Sequence, residues 1–437
     1  MSKAVLLTNG RRIYNDELVK TEVLIVDGKI KAIGEHIQAP SDAEKVDLDN
    51  GLITPGLIDV HVHLREPGYT NKETIATGSK AAAHGGFTTI AAMANLNPTC
   101  DTPEKFKEQV DRNEKAGLVK ILQYSPVTVG RAGKQAVNVA EQYAAGARLF
   151  SDDGAGIQDA GVVYQAMQQL AKVNAPLCDH AQDNQLAQNG VINDGAIIAK
   201  KLALPGMPAI SETAQIARNL VIAQATGVHY HVCHVSTKES IDLIRHAKQQ
   251  GINVTCEVTP HHLLLADTDI KEDDAEFKMN PPLRQRLDQQ ACLIGLLDGT
   301  IDCIATDHAP HTDAEKQQGF LKSPNGIVGS ETAFALLYTH FVKTGIFTLA
   351  QLIDWMAVKP QVIFNLDNAG LLKVGDPADI AVFDIDHQDV IQPDQFFSKG
   401  HNTPFVGEQV YGMTKRTYVD GKLVYLEGEG QCKKHND

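Results

Sequence analysis

The chain has 437 residues, 43% hydrophobic and 22% charged, the balance of a soluble globular protein too long for one ordinary small domain. A net charge of -14 argues against a nucleic-acid partner, whose phosphates it would repel, and no apolar run is long enough to cross a bilayer. The start, "MSKAVLLTNGRR", lacks the shape of a secretory signal, and seven scattered cysteines without a CxxC pair read as reduced thiols of a cytoplasmic protein.

In chain order, "VLIVDGKIKAIG" has alternating apolar residues on both sides of Asp27-Gly28, a hairpin signal. A series of short β-branched runs follows: "GLIDVHV", "FTTIAAM", "LVKILQY", "ARLFSD", "PLCDH", "VHYHVCH", "NVTCEV" and "DCIATD". Helical segments such as "NKETIATGSKAAAHG" and "STKESIDLIRHAKQQG" separate them. Eight strands alternating with crossover helices predict a (β/α)8 TIM barrel; an open doubly wound sheet is the competitor, but no Gly-rich phosphate loop follows the first strand. Then "GDPADIAVFDID" supplies another strand, and "TYVDGKLVYLEG" repeats the hairpin device around Asp420-Gly421. The expected architecture is α/β: a barrel over 55–366 and a small β-sandwich domain built from both termini, 1–54 and 367–437, with "GEGQCKKHND" a frayed tail.

Barrel active sites sit at the C-terminal ends of the strands. Strand one ends in His61 and His63, strand four runs into Ser151-Asp152-Asp153, strand five ends in Asp179-His180, strand six in Cys233-His234 and strand eight in Asp307-His308. A lone histidine at a strand end is more often structural than a ligand, but five such ends on one rim point to a metal site. His61, His63, His180 and His234 with Asp153 and Asp307 exceed the ligand capacity of one tetrahedral zinc. Two metals sharing a bridge would hold a water as hydroxide near neutral pH, with Asp307 placed to take its proton and return it to a leaving nitrogen. Alternation by two puts Arg65 on the same strand face as His61 and His63, its planar fork suited to a carboxylate. Asn95, ending strand two in "MANLNPT", can bond a ligand carboxylate or cap a turn.

The runs "DVHVHLREPG", "HVCHVS" and "ATDHAPH", with "GGFTTI", "FSDDG", "CEVTPHH", "KMNPPLR", "GIVGSET" and "GDPADI", resemble the amidohydrolase superfamily and, within it, the bacterial class I dihydroorotases. The resemblance implies two Zn2+ ions per chain, His61 and His63 on one, His180 and His234 on the other, and Asp153 bridging. It implies substrate contacts at His63, Arg65, Asn95, Asn280 and His311, and reversible cyclisation of N-carbamoyl-L-aspartate to (S)-dihydroorotate in pyrimidine synthesis. Many amidohydrolases bridge their metals with a carboxylated lysine. Strand four has none, and Arg148 cannot take that role because a guanidinium stays protonated. Two departures stand out: "MANLNPT" replaces a "MPNT" form, and Asn325 stands where relatives carry an aromatic residue.

The polar stretch "HTDAEKQQGFLKSPNGIVGSET" reads as a lid that closes over the substrate with Asn325 and Gly326 against the ring. Two other readings remain: a dihydropyrimidinase or allantoinase, and a non-catalytic homologue acting as a pathway scaffold. The lysine-free strand four weighs against the first and the complete ligand set against the second. Partners raised by the resemblance are a second copy of the chain and aspartate carbamoyltransferase; neither nucleic acid nor membrane is expected.

Overall fold

The structure, a computed structural model, describes residues 4–366 and 369–428; the tail after Gly428, Cys432 included, lies outside the described residues. The two Asp-Gly dipeptides sit where the chain must turn with positive φ: Asp27 (50°) with Gly28 (76°), and Asp420 (47°) with Gly421 (73°). Both central residues of a type I′ turn need that left-handed backbone, which Asp and Gly tolerate best. The first turn joins β2 (Glu17–Val26) to β3 (Lys29–Gly34).

Before them β1 (Val5–Tyr14) pairs antiparallel with β2, and β4 (Glu44–Asp47) and β5 (Leu52–Pro55) both run parallel to β1. The barrel strands follow: β6 (Leu57–Val62), β7 (Phe87–Ala92), β8 (Lys120–Ser125), β9 (Leu149–Phe150) and β10 (Leu177–Asp179). A two-stranded ribbon, β11 (Ile192–Asn193) with β12 (Gly206–Met207), interrupts the series before β13 (Tyr230–Val232), β14 (Val254–Val258) and β15 (Cys303–Ile304).

The eight expected strands form one parallel sheet in the order β15-β14-β13-β10-β9-β8-β7-β6. A bridge between Val62 and His308 closes it, with the His63 N–H donating to the His308 carbonyl at 2.9 Å. Their short apolar runs suit strands covered on both faces, as parallel sheets require. The helices start where threonines cap them: Ile75–His84 on Thr74 and Lys238–Gln249 on Thr237, whose side chains accept from the third helical N–H.

After the barrel, β16 (Ile380–Asp384) returns to the terminal sheet and pairs with β5. A second ribbon, β17 (Asp389–Val390) with β18 (Gln409–Val410), precedes β19 (Met413–Val419) and β20 (Lys422–Leu426), joined by the second Asp-Gly turn. The terminal sheet is therefore mixed, in the order β20-β19-β16-β5-β1-β2-β3 with β4 on β1, and it packs Leu7, Ile25, Ile53, Ile380 and Val382 into one core. Strand β5 passes straight into β6 through Gly56, where a Cβ would lie 2.1 Å from Thr88 Oγ1. Between β17 and β18 the chain leaves this sheet and lies on the barrel, where the Phe397 and Ser398 N–H groups donate to Glu331.

Candidate active site at the barrel mouth

Six side chains from five strand ends meet in one buried volume. Asp153 lies at its centre: Oδ1 is 3.4 Å from His61 Nε2, 3.5 Å from His234 Nε2 and 3.6 Å from His180 Nδ1, and Oδ2 is 3.6 Å from His63 Nε2. Asp307 Oδ1 lies 3.0 Å from His63 Nε2 and 3.4 Å from His61 Nε2, and His180 Nδ1 is 2.9 Å from His234 Nε2. His234 (φ 33°) and Asp307 (φ 49°) both carry left-handed backbone. Such backbone costs energy at a non-glycine residue and is found where a site demands it.

Burial works against charge on both carboxyls, yet the positive charge at His61 and the imidazoles packed around them hold Asp153 and Asp307 well below the usual range. Burial likewise opposes a proton on His61, but Asp153 and Asp307 raise it well above the ordinary imidazole value. The two carboxylates thus demand a cation between them. His61 Nε2, Asp153 Oδ1 and His234 Nδ1 are buried without a hydrogen-bond partner, a costly state that a metal ion would relieve. Two sets, His61–His63–Asp307 and His61–Asp153–His234, hold their ligand atoms within 4.8 Å of one another and could each bind a metal. Nitrogen and carboxylate donors in this number suit zinc.

Glu257, which sequence reasoning missed, completes the arrangement from β14. Its Oε1 is 2.7 Å from His61 Nδ1 and its Oε2 is 3.0 Å from His231 Nε2. Burial opposes its ionisation, but the bonds from His231 and His61 bring the carboxyl down to about 2. Glu257 thereby accepts a hydrogen bond from His61 Nδ1–H and turns Nε2 toward the cluster, the arrangement that orients metal-bound histidines. A glutamate inside the apolar run Val254–Val258 was the available signal.

Above the cluster lies a cavity of about 220 Å³ lined by His63, Arg65, Asn95, Asp153, Gly154, His180, His234, Asn280, Asp307, Ala309, Asn325 and Gly326. Arg65 reaches it by a different route from the expected one. Strand β6 ends at Val62, and Arg65 turns inward on left-handed backbone (φ 61°), so strand alternation does not place it. Asn95 Oδ1 lies 3.0 Å from His63 Nδ1, and Asn280 Nδ2 is 2.7 Å from Gln182 Oε1 and 3.1 Å from His180 Nε2. His311 stands behind the cavity lining. Burial and the cations Arg65 and Lys72 bring it to about 2, so it is neutral, its Nε2 2.8 Å from the Asn325 carbonyl. Lys72, 3.3 Å from His311 Nδ1, was also missed; it lies on no periodic face.

The two strand-four neighbours of Asp153 face elsewhere. Asp152 accepts from the Val127 and Thr128 N–H groups, and Arg148 bonds the Tyr143 and Ala147 carbonyls. The stretch expected to close as a lid carries structure of its own: Asp313–Lys316 and Gly319–Lys322 are helical, and Phe320 and Ser323 are buried.

Residues 50–240 match the family model described as dihydro-orotase-like. A dihydroorotase of Ligilactobacillus salivarius is 53% identical over 428 residues, covering 98% of this chain and 100% of that protein. The chain belongs to the dihydroorotase family. A dihydroorotase of Enterococcus faecalis is 54% identical over 423 residues, 97% of this chain and 99% of that one. Among solved structures, an L-hydantoinase (dihydropyrimidinase) from Arthrobacter aurescens superposes with a TM-score of 0.87 at 26% identity, covering 97% of this chain and 96% of that one. A dihydropyrimidinase from Brevibacillus agri, at 24% identity and a TM-score of 0.84 over 97% of this chain and 95% of that one, shares the fold. The cyclic-amidase fold is thus common to these enzymes, and sequence separates the dihydroorotase family within it. No helix among the described residues is long and apolar enough to cross a membrane.

Proposed function

We propose that this chain interconverts N-carbamoyl-L-aspartate and (S)-dihydroorotate, with two Zn2+ ions held by His61, His63, Asp153, His180, His234 and Asp307. The observation that carries this reading is a buried cluster of four histidines and two aspartates, with no lysine, beside a cavity that presents Arg65. When bound, the zinc ions would supply an acidified water and polarise the ring carbonyl.

The side chains provide the rest. Arg65 binds the substrate carboxylate through its guanidinium fork, and Asn95, whose oxygen faces His63, offers its amide N–H groups to the same carboxylate. Asn280, Asn325 and Gly326 border the ring, His63 flanks it, and neutral His311 supports it through Asn325. In the opening direction the water loses one proton to solvent, and Asp307 accepts the proton of the resulting hydroxide as the new C–O bond forms. It delivers that proton to the ring nitrogen as the C–N bond breaks, leaving a carboxylate and a ureido group. In closure the same steps run in reverse: Asp307 starts ionised, takes the proton from the ureido nitrogen and returns it to the departing oxygen. Closure consumes one proton overall, so cyclisation is favoured at lower pH.

Offering dihydroorotate, hydantoin and allantoin separately to the zinc-loaded protein tests the assignment. Ring opening of dihydroorotate alone is expected; preference for hydantoin or allantoin would transfer the chain to the dihydropyrimidinase-type reading, and no turnover to the scaffold reading. We further propose a cytoplasmic enzyme of de novo UMP synthesis, with a barrel over 55–366 and a β-domain from 1–54 and 367–437. Light scattering tests a homodimer, and co-elution tests association with aspartate carbamoyltransferase.

A further inference from the structure

One wall of the cavity is held from behind by side chains that do not line it. The Gly326 N–H donates to the Lys278 carbonyl at 2.9 Å. The Gly326 carbonyl accepts from two side chains at once, Lys316 Nζ at 2.9 Å and Asn402 Nδ2 at 2.9 Å. Lys316 also reaches the carbonyls of Lys278 (3.3 Å) and Pro324 (3.4 Å). Asn402 donates to the Ala309 carbonyl at 3.1 Å and accepts from the His311 N–H at 3.0 Å, and its own carbonyl accepts from the Val328 N–H at 2.9 Å.

These two residues come from separate parts of the chain, yet they meet on one backbone oxygen. Lys316 is 3% exposed and Asn402 2%. Gly326 is pressed so closely on the strand-eight loop that a Cβ would lie 2.6 Å from that of Ala309, and its φ of 127° suits glycine alone. Burying an ammonium is expensive, and burial pulls Lys316 down to about 8. An apolar side chain would fill the space at less cost but would leave converging backbone carbonyls without donors. The charge is therefore retained for where it holds the backbone.

We propose that Lys316 and Asn402 are positioning residues that fix the Asn325–Gly326 wall at the spacing the ring substrate requires, and so set substrate affinity rather than chemistry. The wall lines the same cavity as the ligand cluster but contributes none of its side chains, so its displacement would loosen the ring while the barrel strand ends keep Asp307 and the imidazoles in place. This inference rests on the dihydroorotate reading above.

The test uses Lys316→Met and Asn402→Ala in the full-length, zinc-loaded protein, with Asn402→Asp as a third variant that keeps the acceptor for His311 but loses both donors. Steady-state kinetics, zinc content and amide hydrogen exchange are measured on each. KM for dihydroorotate should rise at least about tenfold while kcat stays within about threefold, the signature of lost uniform binding. Zinc content should be unchanged, and exchange at Gly326 and Val328 should accelerate by about tenfold or more without a change in the barrel strands. A fall in kcat with KM unchanged, or unchanged exchange at Gly326 and Val328, would overturn the proposal. Faster exchange spread over the barrel with loss of zinc would show a merely structural role and overturn it too. If Lys316→Met fails to fold, the two Asn402 variants decide the matter alone. Failure of the substrate reading is recognised separately: the unaltered chain would then open no dihydroorotate, although exchange would still report whether these side chains hold the wall.

Discussion

Histidines stand at two levels of the barrel, at the mouth on β6 and after β13 and deeper down on and before β13, and the two groups differ in kind. At the mouth, His61 leaves Nε2 buried without a hydrogen-bond partner 3.4 Å from both Asp153 and Asp307, and His234 leaves Nδ1 buried without one. Deeper in the barrel, His231 is satisfied on both nitrogens, by Thr255 Oγ1 at 2.8 Å and Glu257 Oε2 at 3.0 Å, and His229 bonds Thr255 Oγ1 at 2.7 Å. Residue type is the same in both places, and His231 is as deeply buried as His61 and His234. What differs is unspent bonding capacity, and that marks the mouth as a site for a cation and the lower group as part of the fold.

Four substitutions would break or sharpen this contrast. Asp307→Asn should act most strongly, because the amide can sit beside the imidazoles but cannot carry a proton. Turnover in both directions should fall by more than about 10³-fold with zinc content largely kept, since general acid–base catalysis alone supplies roughly 10²–10⁴; near-normal turnover with zinc retained would end its role as shuttle. Arg65→Met keeps bulk and removes the fork. Bonds to a charged group are worth about 1.5–3 kcal/mol, so KM should rise by roughly 10- to 150-fold with zinc unaffected. Unaltered KM would remove Arg65 from the substrate.

Glu257→Gln probes the link between the two histidine groups. Zinc affinity, measured by competition with a chelator, should weaken about 10- to 100-fold, the usual cost of losing a carboxylate that orients a ligand. An unchanged affinity would show that barrel packing alone orients His61. His229→Gln should do least: turnover and zinc content stay as they were. Its effect lies in acid stability. Burial, with the neighbouring His231 and Lys248 adding to it, lowers folded His229 to about 4, whereas the unfolded residue protonates near 6.5. The unfolded state therefore binds more protons between those values, and stability falls as pH drops from about 6.5 to 4. The variant should flatten that slope in denaturant melts followed across this range; an identical slope would refute the assignment.

Much of the mouth was legible in the sequence because each ligand ends a short apolar run, and strand ends in a parallel barrel share one rim. His61, His63, Asp153, His180, His234 and Asp307 could be named on that ground. Arg65 was named for a wrong geometric reason, since the strand stops at Val62 and a left-handed turn does the work of alternation. Glu257 was visible only as a carboxylate out of place in an apolar strand. The wall at Asn325–Gly326 was readable as a long polar stretch, but its pinning was not: Asn402 lies 76 residues beyond Gly326 and no local pattern joins them.

The amino-acid sequence by itself determined the eight barrel strands, the two Asp-Gly hairpins and the chemistry at the strand ends of the mouth. These depend on period-two and apolar patterning, turn preferences and residue type, which act over a few neighbours. Tertiary structure alone decided which nitrogen of His61 faces the cluster, that Asp153 stands among four imidazoles, and that Lys316 and Asn402 share the Gly326 carbonyl. Those outcomes follow from barrel closure at Val62 and His308 and from the return of the C-terminal segment over the mouth. Contacts made across hundreds of residues are set by the packing of the whole molecule, and no local stretch of sequence carries them.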